Sequence, residues 1–362
     1  MKITQLEHDI DRFEKALRGC LAEVPYIQAI DTEQESMTAR GRIDLLVKLN
    51  SPDREWILAV EVKTSGQPRL AREGINQLWR YREALPYDYA VLAAPYISPR
   101  TAEICSHEGV GYVDLAGNCR LSFGQVFIQK EGRPNPFAEK RDLRSLYSPK
   151  AERVLRVLLL NPAMRRKMET LAEEAEVSLG QAANVKKLLA DREWIRVDKD
   201  GFWLSEPEAL LAEWSENYSF RRNQVNDYYS LQSIGEIEYE LAKVCSRESI
   251  DYALTGFSGG TRIAPSVRHQ RAMAYVDEIE RVASLLNLKR VPSGANVTLL
   301  APYDAGVFNG AKEFDGTRVV SPVQLYLDLK GFRGRGAEAA EAVLEEVIRP
   351  QWQSGVRITQ RT

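Results

Sequence analysis

The sequence predicts a multi-domain α/β protein, and three observations predict it. Residues 1–135 alternate short β-branched, apolar runs with helix-like stretches. Residues 150–206 read as three helices followed by an Asp-Gly hairpin, and residues 207–362 return to strands and helices in a second α/β stretch. A length of 362 residues also suggests two or three domains. The expected organisation is therefore 1–135, a linker at 136–149, then 150–206 and 207–362.

A helix is expected at about 4–23. Strands follow at 41–47 (GRIDLLV) and 57–63 (ILAVEVK), with the turn-forming stretch Asn50–Arg54 between them. Two strands joined by a short turn should pair as a hairpin, which brings Asp44 beside Glu61. Glu61 and Lys63 are two residues apart, so they project from one face. Two carboxylates and an ammonium then converge on one side of a sheet, where charge is costly unless it holds something. Hard carboxylate oxygens suit Mg²⁺, with Mn²⁺ as a substitute, and the ion would keep waters and take phosphate oxygens. A neighbouring lysine can orient or deprotonate the attacking water and stabilise developing charge.

Asp44 followed by Glu61-Val62-Lys63 resembles the PD-(D/E)xK nuclease superfamily. The proline of that family's first motif is Ile43 here, and Gly41-Arg42-Ile43-Asp44 is closer to the Gly-x-hydrophobic-Asp variant of its resolvase-like and RecB-like members. Residues 68–85 read as a helix carrying Gln77, matching the glutamine helix that often follows the lysine strand in that branch. The resemblance covers roughly residues 1–135. It implies a metal held by Asp44 and Glu61, water activation assisted by Lys63, and a positioning role for Gln77. Glu7 or Glu14 from the first helix are weaker candidates for the same site. The bland alternative is a solvated strand face, since Glu-x-Lys is a common pattern.

Strands are expected at 88–97 and 111–115, a short helix at 99–108, and further strands at 119–130. Asp114 and Asn118 sit at a strand end and turn, where capping is the ordinary role.

Composition excludes several classes. Hydrophobic content of 44% and charged content of 28% are those of a globular chain. A net charge of −2 gives no bulk support to nucleic-acid binding, so a basic patch must be local. Cys20, Cys105, Cys119 and Cys245 are scattered with no Cys-x-x-Cys pair, which points to ordinary reduced thiols rather than zinc or a disulfide scaffold. His8, His107 and His269 are too far apart in sequence to suggest a cluster. There is no apolar signal segment and no run long enough to span a membrane, so a cytoplasmic location is expected.

Residues 136–149 are charged and irregular, with Lys140, Arg141 and Arg144. Helices are then expected at 150–160, 167–176 and 179–191, with Ser178 capping the third, and a hairpin around Asp200-Gly201. This is the pattern of a winged helix-turn-helix, whose third helix enters the major groove of double-stranded DNA. Gln181, Asn184, Lys186 and Lys187 are the candidate readers. Arg165, Arg166 and Lys167 before the second helix, and Arg196 and Lys199 on the wing, are candidate phosphate contacts. A winged helix used only for protein contact is the rival.

In the third stretch, Tyr252–Gly260 reads as strand, glycine turn and helix. A phosphate cradle would need a following Asp-x-Asp strand or a Walker lysine, and neither is present, so a tight connection is expected. Leu254-Thr255-Gly256, Ser321-Pro-Val-Gln-Leu-Tyr-Leu-Asp328 and a terminal helix at 336–349 resemble the C-terminal part of AbiEi-type antitoxins of type IV toxin–antitoxin systems, over about 145–355. The resemblance implies promoter binding by the winged helix and a C-terminal domain that serves autoregulation or neutralises a nucleotidyltransferase-like toxin. A minimal antitoxin needs no nuclease-like domain. The sequence thus supports a DNA-binding transcriptional regulator, with a Mg²⁺-dependent endonuclease of phage or mobile-element defence as the alternative. Winged-helix regulators often form homodimers, but no coiled-coil pattern supports one here.

Overall fold

The structure is a computed structural model. It describes residues 2–27, 29–38, 41–52, 54–136, 146–264, 271–332 and 335–359, with the backbone alone at 2–9, 29–30, 35–38, 41 and 355–359. Lys140, Arg141, Arg144 and His269 lie outside the described residues, as do the side chains of Glu7 and His8. The chain divides into two compact units, residues 1–142 with 190–193 and residues 143–189 with 194–362.

The first unit is a multi-layer α/β fold. Its helices are α1 (Lys2–Leu21), α2 (Pro68–Arg82) and α3 (Pro99–His107). Its strands are β1 (Ala29–Thr38), β2 (Gly41–Asn50), β3 (Glu55–Val62), β4 (Tyr89–Ala94), β5 (Gly111–Asp114), β6 (Cys119–Phe123) and β7 (Val126–Lys130), hydrogen-bonded in that order. β1, β2 and β3 form an antiparallel meander, while β3, β4 and β5 run parallel, joined through α2 and α3 as parallel neighbours require. The two-residue side-chain period divides β2 between two cores. Leu45, Val47 and Leu49 pack with Phe13, Leu17 and Leu21 of α1, whereas Leu46 packs with Ile75 and Leu78 of α2. β1 is a strand the sequence does not announce. Its residues AIDTEQESMT are mostly polar, as a sheet-edge strand can be.

The second unit opens with α4 (Pro149–Leu160), α5 (Met168–Glu174), α6 (Leu179–Asp191) and the hairpin of β8 (Ile195–Asp198) and β9 (Gly201–Leu204). Asp198 Oδ1 accepts from the backbone N–H groups of Asp200 and Gly201 and closes the turn. Gly201 is obligatory there: its φ is +146°, and a Cβ would meet the Arg166 carbonyl oxygen at 2.5 Å.

The unit continues through α7 (Pro207–Asn217), β10 (Gln224–Tyr229), α8 (Ile234–Glu248), β11 (Tyr252–Leu254), α9 (Gly256–Ile263) and β12 (Ala272–Val276). Then come α10 (Ile279–Leu285), β13 (Lys289–Arg290), β14 (Val297–Ala301), β15 (Lys312–Phe314), β16 (Thr317–Val319), α11 (Pro322–Lys330) and α12 (Arg335–Val343). A π-helical turn at Leu344–Ile348 leads into α13 (Arg349–Thr359). The sheet order is β13-β10-β14-β12-β11-β16-β15, mixed parallel and antiparallel. Among the described residues no helix is long and apolar enough to cross a membrane.

Candidate functional site

The β2–β3 hairpin pairs Leu45 with Val60, and one step further the Val62 N–H donates to Asp44 Oδ2 at 2.8 Å. Glu61 projects on the α2 side of the sheet and is 4% exposed. Lys63 Nζ donates to Glu61 Oε1 at 2.7 Å and also to Gln77 Oε1, which α2 lowers onto it. The expected residues Asp44, Glu61, Lys63 and Gln77 therefore meet. Burial, with Asp44's charge second, pushes the Glu61 carboxyl up to about 7, and Lys63 only partly offsets this. Glu61 Oε2 is buried and has no hydrogen-bond partner among the described residues.

Two further residues of α2 belong to this face. Gly74 leaves room for the Lys63 stem, because a Cβ there would stand 3.0 Å from Lys63 Cε and 2.8 Å from Leu92 Cδ1. Tyr81 is buried, and its hydroxyl is held above the usual range by burial and then by the charges of Glu61 and Asp44. The spacing 74, 77, 81 is the helical-face signal that could have found both from Gln77.

Glu14 does not join the site. Its carboxylate accepts from Arg18 Nε, Thr32 Oγ1 and Gln34 Nε2, which tie α1 to β1. Asp114 caps the β5–β6 turn: it accepts from the Ile97 and Asn118 backbone N–H groups and from Asn118 Nδ2. Among the described residues no group of three or more His, Cys, Asp and Glu side chains forms a metal-binding set. The two hard carboxylates of Asp44 and Glu61, one with an orphaned buried oxygen, nevertheless fit a Mg²⁺ that draws its remaining ligands from water and phosphate.

In the α4–β9 segment, Asn184 and Lys187 are exposed on α6, Gln181 is half-buried, and Lys167, Arg196 and Lys199 are exposed. Ser178 Oγ accepts from the Gln181 N–H at 3.2 Å, the expected cap. Lys186 lies over the Phe202 ring at 4.6 Å, so it packs against β9. Arg165 is paired with Asp198 at 2.8 Å and stacks over Trp203. Arg166 corrects the sequence reading. It is 3% exposed, donates to Glu174 and to the carbonyls of Asn161, Met164 and Val157, and so fastens the loop instead of gripping phosphate. The run Arg165-Arg166-Lys167 held no hint of this, because the residue that turns inward is decided by the β9 contact.

The C-terminal motifs converge on a buried polar network. Asp328 accepts from Tyr218 at 2.7 Å, Tyr275 at 3.0 Å, Thr255 at 2.5 Å and Gln324 at 3.0 Å. Burial holds its carboxyl above the ordinary range despite these donors. Gln324 Oε1 in turn accepts from Arg156 of α4 at 3.0 and 2.6 Å. Arg156 also lies 3.8 Å from Glu152, which pairs with Arg222 at 2.7 Å and accepts from the Tyr303 hydroxyl. The glycine turn has a packing role: Gly256 has φ +53° and abuts Met273, and Ser258 Oγ accepts from the Met273 N–H.

Residues 203–349 match the family described as "Transcriptional regulator, AbiEi antitoxin, Type IV TA system". The match takes in Thr255, Gln324 and Asp328 and begins within β9, after α4, α5 and α6. No curated protein matches the sequence. Among solved structures, the crystal structure of a repair endonuclease from Pyrococcus abyssi is similar at 16% identity and a TM-score of 0.21, over 28% of this chain and 46% of that one. The match thus spans less than half of that endonuclease, and a likeness this slight carries no weight for fold or activity.

Proposed function

We propose that the chain is a duplex-DNA-binding transcriptional regulator of the type IV antitoxin kind, acting in the cytoplasm. The observation that carries this reading is the family match at 203–349, in a segment whose buried network reaches α4 of the winged helix through Arg156 and Gln324. The exposed Asn184 and Lys187 of α6 would read the major groove. Lys167, Arg196 and Lys199 would contact phosphate. The C-terminal half would serve autoregulation or engage a nucleotidyltransferase-like toxin. Titrating labelled DNA from upstream of its own gene tests this. Saturable, sequence-dependent binding is expected, and equal affinity for unrelated duplexes refutes it.

A second reading is favoured by Glu61, whose buried, unpartnered oxygen stands beside Asp44 and Lys63. Here Asp44 and Glu61 would hold Mg²⁺ or Mn²⁺, and the ion would polarise a phosphodiester and activate water. Lys63 would donate to a phosphate oxygen, and Gln77 would keep its ammonium aimed at the site. Incubation with linear, supercoiled and branched DNA, with either metal or with EDTA, tests this alongside Glu61→Ala. Metal-dependent cleavage that survives the substitution refutes this site.

A further inference from the structure

Cys20 near the end of α1 and Cys119 at the start of β6 are 99 residues apart in sequence, yet their Sγ atoms lie 3.0 Å from each other. Both are free thiols, and both are buried, Cys20 at 7% and Cys119 at 0% exposure. That separation is shorter than an ordinary contact between sulfurs and longer than a bond of about 2.05 Å. A surface cavity of about 480 Å³ reaches Cys20, and its charged lining is mixed: Arg12, Lys15, Lys130 and Arg133 with Glu23 and Asp114. Cys105 and Cys245, by contrast, are buried thiols that burial pushes up to about 12.

We propose that Cys20 and Cys119 form a peroxide-sensitive dithiol that closes into an intramolecular disulfide pinning α1 to the sheet. The chemistry starts at Cys20. Hydrogen bonding with Cys119 draws its thiol below the ordinary range; burial opposes this, and the pull of Lys130 is countered by Glu23, with which it is paired, and by Asp114. The Cys20 thiolate attacks hydrogen peroxide. The O–O bond breaks, Cys20 becomes a sulfenic acid, and the hydroxide released is protonated to water. Cys119 Sγ then attacks Cys20 Sγ. The S–S bond forms, the S–O bond breaks, and hydroxide leaves with the Cys119 proton as a second water. The two sulfurs lose two electrons in all, and the peroxide gains them. The second step needs the sulfurs to approach by about 1 Å to reach bonding distance. The bond would fix the end of the helix whose Glu14 already holds β1 through Thr32.

The test treats the full-length folded protein with hydrogen peroxide, alkylates the remaining thiols after unfolding, and maps the peptides by mass spectrometry. Two of the four cysteines should escape alkylation, joined in a Cys20–Cys119 peptide lighter by two hydrogens, and a thiol reductant should restore them. In Cys119→Ser the reaction should stop at a Cys20 sulfenic acid that dimedone captures. Alkylation of all four cysteines after peroxide overturns the proposal, as does sulfinic acid at Cys20 with Cys119 still free. A link through Cys105 or Cys245 overturns it equally. The wild-type measurement decides the matter even where the variant does not fold.

Discussion

Replacing Glu61 by glutamine should change how stability depends on pH in a way that can be calculated. Below about pH 4.5 the carboxyl is protonated in both the folded and the unfolded chain, so its raised value has no effect. As pH rises from 4.5 to about 7, the unfolded chain releases this proton while the folded chain retains it, and stability is lost. Above about 7 the loss is complete. The gap between those values corresponds to about 3 kcal/mol. Glu61 is 4% exposed, so solvent screening does little to shrink the figure. A glutamine side chain there would have nearly the same shape and no proton to lose, so this part of the pH profile should vanish in Glu61→Gln. For a unit of this size each kcal/mol is worth roughly 2–4 °C in melting temperature, so the variant should gain about 6–12 °C on the wild type at about pH 8. Calorimetry of the full chain from about pH 4.5 to 8.5 measures this. Parallel wild-type and variant curves across that range would refute the reasoning. On the proposed metal-site reading, Mg²⁺ added at about pH 8 should restore much of the wild-type stability and leave the variant unmoved, since a bound cation would supply countercharge to Glu61.

Four other substitutions separate positioning from binding. Arg156→Ala should lower the stability of the second unit by roughly 3–5 kcal/mol, because it strips a buried partner from Glu152 and Gln324; an unchanged urea midpoint would contradict this. Gly74→Ala should destabilise by about 1–3 kcal/mol through the clash with Leu92 and the Lys63 stem, outweighing the helix propensity gained, and a more stable variant would show that the helix simply shifts. Lys187→Ala should weaken duplex binding and lower the slope of log affinity against log salt by about 0.9, whereas Arg166→Ala should reduce stability without that signature. Equal salt slopes for Lys187→Ala and the wild type would remove Lys187 from the DNA contact.

The residues of the acidic site were legible because short-range geometry fixes them. Turn chemistry at Asn50–Arg54 set the hairpin, strand parity put Glu61 and Lys63 on one face, and a helix after β3 had to cross that face to reach the parallel strand β4. β1 was illegible because it is mostly polar, and β10 because Gln224–Tyr229 lies in a stretch of mixed polar and aromatic residues that also suits a helix. The two motifs of the C-terminal half could be recognised but not explained from sequence. Thr255 and Asp328 are 73 residues apart, and nothing local states that a hydroxyl will meet a carboxylate. Arg166 illustrates the opposite limit. A basic run on a loop reads as a surface feature, yet the backbone bridge to Phe202 turns one guanidinium into the core.

Arg156 also bears on how such a protein can be inherited. The family match begins at residue 203, yet the cation that completes its polar interior comes from α4, and Trp352 of α13 donates to the Leu159 carbonyl on that same helix. A gene broken near residue 203 would yield a C-terminal product with Gln324 facing an empty pocket. The matching N-terminal product would carry a helix whose buried face has no cover. Shuffling among related genes would therefore have to carry α4 and the C-terminal half together, as a single heritable piece.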